Sequence, residues 1–314
     1  MENISKPKLW LAQVRAPFLI LAIMLVAIGW ALSYKYLLAS HQSFDWLKAI
    51  LLLIGTISAH ASVNLFNEYS DFKTKIDFDT SKTPFSGGTG LLPGGQSKPG
   101  SVLIAAIFTI LLAAAIGVYF TLTVHWSIAL AIIIGAFAII MYTPFLAKIL
   151  LGEFFAGFAL GTLVVVGVFI GMTANNGITF ANLIPLEVWL IAIPPGILTW
   201  LLLFINEFPD LEADKKGGRF HLLILLGRKT SGYVYTSMLS ICYLTIILLP
   251  ILGITSYWIY IALLTVPLAI KVFSVVLKDY DNMEKLVPAL ATDVMIVLGT
   301  DLLLAVAVML PILF

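Results

Sequence analysis

The sequence predicts an all-α integral membrane protein with about nine transmembrane helices and its N-terminus in the cytoplasm. Two observations support this fold class. Of the 314 residues, 61% are hydrophobic and only 11% are charged, which is too little polar surface to cover a soluble globule of this size. The lysines and arginines also fall almost entirely on one side of the predicted helices. We interpret residues 1–314 as a single transmembrane domain.

Nine apolar segments have the length of a membrane helix, because a bilayer core of roughly 30 Å needs about 20 residues per crossing. They lie near residues 15–34, 47–70, 101–122, 126–142, 153–173, 185–207, 231–252, 256–277 and 287–313. The basic N-terminus leads into the first segment without a small-residue cleavage site. That segment is therefore predicted to be a membrane helix rather than a signal peptide.

The basic residues support both the helix number and the orientation, because cytoplasmic loops collect lysine and arginine. With nine helices and an inner N-terminus, 16 of the 18 lysines and arginines are cytoplasmic, and only Lys35 and Lys48 lie outside. A miscount by one helix would scatter them to both sides. The longest loops, after helices two and six, are also on the inner side, so we expect a functional site that faces the cytoplasm. The net charge of +1 gives no reason to expect a nucleic-acid partner.

An acidic pattern occurs twice, at the ends of helices two and six. These ends read LFNEYSDF and FINEFPDL, so the order Asn-Glu-aromatic-x-Asp-apolar is repeated four helices apart, which predicts two structurally matched halves. The chemistry-bearing side chains are Asn67, Asp71 and Asp77 in the first copy and Asn206, Asp210 and Asp214 in the second. In each copy the Asn and the next Asp are four residues apart, so they share one helix face.

Carboxylates at the end of a membrane helix are costly unless they meet counter-charge or water. Small clusters of oxygen ligands suit Mg²⁺, which binds through one or two carboxylates together with substrate phosphate oxygens. Two facing clusters could hold two such ions around a diphosphate. Neighbouring basic residues could neutralise further phosphate charge; they are Lys73, Lys75, Lys148, Lys215, Lys216 and Arg219. The alternative is that these acids are ordinary helix caps in solvated loops, which gives no reason for the repeat.

At these residues the chain resembles the UbiA-type intramembrane prenyltransferase family. The first family signature fits NEYSDFKTKID, and the six-residue step from Asp71 to Asp77 resembles the branch that prenylates naphthalene-type quinone precursors. The glycine-rich GGTG segment that follows is similar to that branch. The stretch NEFPDLEADKKGGR resembles the second, Asp-x-x-x-Asp signature. MYTPFLAKILLGEFFAGFALG resembles the region after the fourth helix, so Tyr142, Lys148 and Glu153 become candidates.

The resemblance implies nine helices around a central cavity that opens sideways to lipid. It implies that the two motifs hold two Mg²⁺ ions, which grip the diphosphate of a polyprenyl donor while an aromatic ring attacks the resulting allylic cation. The implied catalytic residues are Asp71, Asp210, Lys148 and Tyr142. The implied diphosphate ligands are Arg15, Lys73, Lys75, Lys148, Lys215 and Arg219. For Arg15, a purely topogenic role is the alternative.

We therefore expect transfer of a polyprenyl group to an aromatic acceptor at the cell membrane, with 1,4-dihydroxy-2-naphthoate, a menaquinone precursor, as the preferred acceptor. The alternative acceptors are 4-hydroxybenzoate, a tetrapyrrole and a glycerol ether lipid. A secondary transporter shares internal repeats, but its coupling residues should lie near the membrane centre rather than at helix ends. The sequence leaves open the donor chain length, the oligomeric state and the roles of His60, Asp293 and Asp301.

Overall fold

The computed structural model describes residues 5–79, 83 and 85–313, and it contains no strand in these ranges. Lys82, one of the predicted cytoplasmic lysines, lies outside them. The α-helices are α1 Lys6–Gln13, α2 Ala16–Ala39, α3 Trp46–Thr74, α4 Ile76–Asp79, α5 Pro99–Thr123, α6 Ile128–Met141, α7 Gly152–Phe155, α8 Leu163–Thr173, α9 Leu186–Lys216, α10 Leu222–Ile251, α11 Val266–Lys278 and α12 Met283–Leu313. A π-helical segment, Ala156–Thr162, joins α7 to α8, and a 3-10 helix, Tyr257–Thr265, leads into α11.

Eight helical stretches among the described residues are long and apolar enough to cross a membrane. They are α2, α3, α5, α9, α10, α12 and the composite stretches Gly152–Thr173 and Tyr257–Lys278. The remaining predicted segment, 126–142, contains α6, whose 14 residues are fewer than the roughly 20 of a full crossing. The prediction of an all-α, multi-pass membrane protein is confirmed.

Helices α3 and α9 continue further than the apolar segments, and this places Asn67 and Asp71 on α3 and the whole second motif on α9, whereas Asp77 lies on the short α4. The second segment was expected to end at residue 70, but α3 continues to Thr74. The sixth was expected to end at residue 207, but α9 continues to Lys216 and passes through Pro209 without a break. Proline removes one backbone hydrogen bond there, yet the four-residue step of the second motif stays on one helix.

Helix α9 lies at the centre of the molecule, where it packs against the π-helical segment, α10 and α12. Glycines make the contact with the π-helical segment close. A Cβ on Gly157 would lie 2.7 Å from the carbonyl oxygen of Gly196, and one on Gly161 would lie 2.6 Å from the Gly196 Cα. Small residues allow two helical backbones to approach in this way. The contact fixes Glu153, just before the π-helical segment, against the helix that carries the second motif.

Candidate active site

Both acidic motifs line one cavity of about 430 Å³. Its polar end carries Asn67, Asp71, Asp77, Asn206, Asp210 and Asp214. Its apolar wall continues to Leu52 on α3 and Phe120 on α5. From Asn67 to Leu52 the helix rises about 22 Å, so the cavity follows most of the length of a membrane helix. The structure therefore brings the two halves of the repeated pattern to a common chamber.

Arg219 joins the two motifs directly. Its Nη2 donates to Oδ1 of Asp71 at 2.6 Å, and its Nη1 donates to Oδ1 of Asp214 at 2.8 Å. Burial lowers the pKa of Arg219, but the contacts with Asp71 and Asp214 outweigh it and raise the pKa above its ordinary value. The planar fork of guanidinium suits a bridge between two carboxylates. One charged side chain thus ties α3 to α9 across the polar end.

The glycine-rich loop also contacts both motifs. The backbone N–H of Gly87 donates to Oδ2 of Asp210 at 3.2 Å. The backbone N–H of Thr89 donates to Oε2 of Glu68 at 3.2 Å, and the Thr89 hydroxyl donates to the other oxygen of the same carboxylate. Charge-assisted bonds of this kind are stronger than neutral ones. The loop therefore covers the polar end of the cavity and is held from both sides.

Gly88 sits directly over the last acid of the first motif. Its φ of +69° is a conformation that side-chain-bearing residues rarely adopt, and a Cβ there would lie 2.5 Å from Oδ1 of Asp77. Burial raises the pKa of Asp77 to about 7, and the nearby Asp71 and Glu68 carboxylates add to this effect. Arg15 and Arg219 act in the opposite direction, but they do not offset the burial and the neighbouring acids.

A second network lies beneath the other motif. His221 Nε2 is 3.2 Å from Oδ2 of Asp214, and His221 Nδ1 is 3.2 Å from Oε2 of Glu207. Burial lowers the pKa of His221, but the nearby Asp214 and Glu207 carboxylates outweigh it and raise the pKa to about 9. Glu153 approaches the same group, and one ligand atom each from Glu153, Glu207 and His221 lie within 4.8 Å of one another.

The donor atoms at the polar end fit a hard divalent cation. Oδ1 of Asn206, Oδ1 of Asp210 and Oδ2 of Asp77 are buried and have no hydrogen-bond partner among the described residues. Such atoms cost free energy unless a cation or water meets them. Carboxylate and amide oxygens from several side chains are the ligands that Mg²⁺ takes. The residues therefore fit the predicted metal.

Other predicted site residues divide into two groups. Arg15 and Tyr142 line the cavity, as does Arg219. Arg15 Nη2 also lies 3.5 Å from Oε2 of Glu68. The predicted lysines are exposed and are not among the residues that line the cavity; they are Lys73, Lys75, Lys148 and Lys215. Lys215, for example, pairs with Glu212 at 3.3 Å on the outer face of α9.

Sequence reasoning gave no role to Glu68, Glu207 and His221. The glutamates were visible as the repeated Glu of each motif, and in the structure each faces a basic side chain from another segment, Arg15 or His221. His60 lines the cavity. Asp293, in contrast, is fully buried and accepts a hydrogen bond from the Tyr235 hydroxyl.

Asp301 is also fully buried, and neither it nor Asp293 lines the cavity.

These features define a candidate intramembrane active site: two acid and amide sets, joined by an arginine, line the polar end of a long apolar cavity. The model of the UbiA prenyltransferase family matches residues 22–289, and the chain belongs to this family. It is accordingly a prenyltransferase, and the resemblance seen in the motifs is confirmed.

The chain is similar in sequence to a curated prenyltransferase and similar in fold to solved UbiA homologs. The 1,4-dihydroxy-2-naphthoate octaprenyltransferase of Bacillus subtilis (strain 168) is 32% identical over 233 residues, which cover 71% of this chain and 69% of that protein. The apo structure of a UbiA homolog from Aeropyrum pernix K1 has a TM-score of 0.66 at 14% identity, covering 94% of this chain and 98% of that one. A UbiA homolog from Archaeoglobus fulgidus, bound to DMAPP and Mg²⁺, has a TM-score of 0.54 at 14% identity, covering 96% and 98%.

Proposed function

We propose that this protein transfers a polyprenyl group from a polyprenyl diphosphate to 1,4-dihydroxy-2-naphthoate, a step of menaquinone biosynthesis. The observation that carries the proposal is the convergence of both motifs on one cavity, where Arg219 contacts Asp71 at 2.6 Å and Asp214 at 2.8 Å. The name of the Bacillus subtilis relative supports the acceptor. The DMAPP and Mg²⁺ of the Archaeoglobus fulgidus structure support the donor class and the metal.

The diphosphate binds at the polar end. The first motif holds one Mg²⁺ through Asn67, Asp71 and Asp77, and the second holds another through Asn206, Asp210 and Asp214. Bound Mg²⁺ supplies positive charge that stabilises the departing diphosphate. Arg15 and Arg219 donate to phosphate oxygens, for which guanidinium groups are well suited. To do so, Arg219 exchanges part of its contact with the two carboxylates for contact with the substrate.

The apolar wall accommodates the polyprenyl tail. Gly135 and Gly167 line the cavity, and a Cβ on either would meet no atom within 4 Å, so these glycines leave open space. An apolar, water-excluding wall also protects an allylic cation from capture by water. Tyr142 also lines the cavity, and we assign to it the orientation of the reacting carbon.

We place the polar end at the cytoplasmic face of the cell membrane, with nine crossings and a cavity that opens sideways to lipid. The excess of lysine and arginine on one side of the helices supports this orientation. Four exposed lysines stay predictions for diphosphate capture. Lys73 and Lys75 lie between Asp71 and Asp77, Lys215 directly follows Asp214, and Lys148 ends a short 3-10 helix. Their exposed side chains could guide a charged headgroup toward the cavity.

The test is product formation by the purified protein in detergent with Mg²⁺ and a polyprenyl diphosphate. Candidate acceptors are 1,4-dihydroxy-2-naphthoate, 4-hydroxybenzoate, a tetrapyrrole and a glycerol ether lipid, and mass spectrometry identifies the product. The donor C–O bond breaks with release of diphosphate, a C–C bond forms, and the attacked ring carbon loses its proton or its carboxylate as CO2. We expect this prenylated naphthalene product together with released diphosphate, and no product when Mg²⁺ is chelated.

Asp71→Asn and Asp210→Asn should each lower the transfer rate by about 10²- to 10³-fold, which is typical for the loss of one electrostatic contact to developing charge. Glu212→Gln is the matched control because Glu212 lies on α9, two residues after Asp210, and its side chain is 70% exposed. Full activity in both Asp variants would contradict the metal assignment. Prenylation of a different acceptor alone would contradict the naphthoate assignment.

A further inference from the structure

A cluster of three buried polar side chains lies beside the second motif. Glu153 precedes the π-helical segment, Glu207 is on α9, and His221 immediately precedes α10. Their exposed fractions are only 1%, 7% and 3%. All three line the cavity, and their ligand atoms converge within 4.8 Å. Polar groups at membrane depth are costly and are therefore candidates for function.

Glu153 offers one oxygen to a ligand. Its Oε1 accepts the backbone N–H of Leu222 at 2.7 Å, at the first residue of α10. The unpaired N–H groups and the dipole at a helix N-terminus favour a negative charge there. Its Oε2 is buried and has no hydrogen-bond partner in the described part of the chain. A carboxylate oxygen accepts hydrogen bonds, so the complementary ligand carries a hydroxyl donor.

His221 has a different part in the cluster. Its two ring nitrogens each lie 3.2 Å from a carboxylate oxygen, one of Glu207 and one of Asp214. The ring is hydrogen-bonded to Asp214 through Nε2. Its Nδ1 only approaches Oε2 of Glu207, and neither of these two buried atoms has a hydrogen-bond partner in the described part of the chain. Oε2 of Glu207 and Oε2 of Glu153 are therefore two buried carboxylate oxygens without a hydrogen-bond partner among the described residues, and they suit a ligand that carries hydroxyl donors. A metal ion bound by these two oxygens and His221 Nδ1 is the alternative, and the Zn²⁺ measurement below tests it.

The cluster lies where a second substrate would have to bind, next to the polar end of the cavity. His221 contacts Asp214, and Glu207 directly follows Asn206, so the cluster adjoins the polar end assigned to the diphosphate. An aromatic ring bound there would stand next to the reacting end of the donor. A hydrogen bond from a ring hydroxyl to a carboxylate increases the electron density of the ring, which favours attack on a cation.

We propose that Glu153, Glu207 and His221 form the site for the hydroxyl groups of the aromatic acceptor, with Glu153 Oε2 as the direct hydrogen-bond acceptor. This inference rests on the proposed function and adds to it the residues that recognise the second substrate. Glu153 touches the substrate; Glu207 completes the hydroxyl site; His221 is a positioning residue.

The experiment compares Glu153→Gln and Glu207→Gln with wild type and with the exposed control Glu212→Gln. Glutamine at position 153 keeps an oxygen for the Leu222 N–H, so folding should be preserved, but it replaces the free acceptor oxygen by a donor. We measure binding of 1,4-dihydroxy-2-naphthoate and of 2-naphthoate, which lacks both hydroxyls. Separate titrations use a non-ionising prenyl thiodiphosphate with Mg²⁺.

Wild type should bind the dihydroxy compound about tenfold more tightly than 2-naphthoate, in line with one charge-assisted hydrogen bond. Glu153→Gln should lose this preference and raise the KM for the acceptor about tenfold, while thiodiphosphate binding stays within about twofold. Unchanged preference in both Gln variants would overturn the inference. So would stoichiometric Zn²⁺ binding that Glu153→Gln removes without any effect on acceptor affinity.

The two proposals fail in different ways. If the acceptor site is wrong but the function is right, Glu153→Gln transfers prenyl groups normally and thiodiphosphate binding still requires Mg²⁺. If the function itself is wrong, wild-type protein shows no Mg²⁺-dependent binding of the thiodiphosphate.

Discussion

Replacing Arg219 by alanine removes the charge that joins the two motifs, and this should cost stability as well as activity. The Arg219 side chain is 18% exposed, and its partners Asp71 and Asp214 are 10% and 2% exposed. Breaking a buried ion pair by removal of one partner costs about 3 to 5 kcal/mol, because the remaining carboxylates lose their counter-charge. Since Arg219 retains some access to water, we expect about 3 kcal/mol.

For a chain of this length, that loss corresponds to a fall in the apparent melting temperature of about 4 to 5 °C. The assay is thermal unfolding in detergent, monitored by intrinsic fluorescence, first with a chelator and then with Mg²⁺. Mg²⁺ should reduce the difference between Arg219→Ala and wild type because bound cations replace the missing positive charge. Lys215→Ala is the matched control; its exposed pair with Glu212 should contribute less than about 1 kcal/mol.

Arg219→Lys separates charge from geometry, since lysine keeps the charge but lacks the planar fork that reaches both carboxylates. We expect it to recover part of the stability and little of the transfer rate. If Arg219→Ala and wild type unfolded at the same temperature in the presence of chelator, this account of the Arg219 bridge would be refuted.

Two further substitutions test the loop and the tail chamber. Gly88→Ala should lower the transfer rate more than Gly95→Ala, because both glycines have a φ of +69° but only a Cβ at position 88 would meet Asp77; equal rates would contradict the close cover. Gly167→Leu should fold normally and lower transfer from long polyprenyl donors about tenfold more than transfer from geranyl diphosphate, because it fills open space in the cavity. Gly100→Leu is the control, because Gly100 is exposed and a Cβ there would also meet no atom within 4 Å. An equal loss of transfer rate for all donors would contradict the assignment of the apolar wall to the polyprenyl tail.

The placement of the motifs could be predicted from the sequence because it follows from helical periodicity. Asn67 and Asp71 are four residues apart, and so are Asn206 and Asp210, so each pair lies on one face of its helix. The apolar composition requires that such faces be turned inward, away from lipid. Periodicity alone does not bring the two faces together; the repeat and the family resemblance predict that they meet, and both sets line one cavity.

The surroundings of the motifs could not be predicted because they depend on loops and on contacts between distant segments. Lys73 is two positions after Asp71 and therefore lies on a different helix face. Lys75 ends α3 in a left-handed conformation with a φ of 64°, and its side chain is exposed. Arg219 reaches Asp71 only because the loop after α9 returns toward α3.

The repeated glutamates show where more could have been inferred. Glu68 and Glu207 occupy the same place in both copies of the pattern, and a repeat of six positions already indicated a role for each. Their partners, Arg15 and His221, come from other segments, so the tertiary fold was needed to identify them.

The central claim is that the two motifs together hold divalent cations around one diphosphate. The most direct measurement is electron paramagnetic resonance of bound Mn²⁺ in the presence of a prenyl thiodiphosphate, with Mn²⁺ replacing Mg²⁺. We predict two spin-coupled Mn²⁺ ions per chain, with Asp71→Asn and Asp210→Asn each removing one of them. A single uncoupled ion, or two ions that survive both substitutions, would contradict the account.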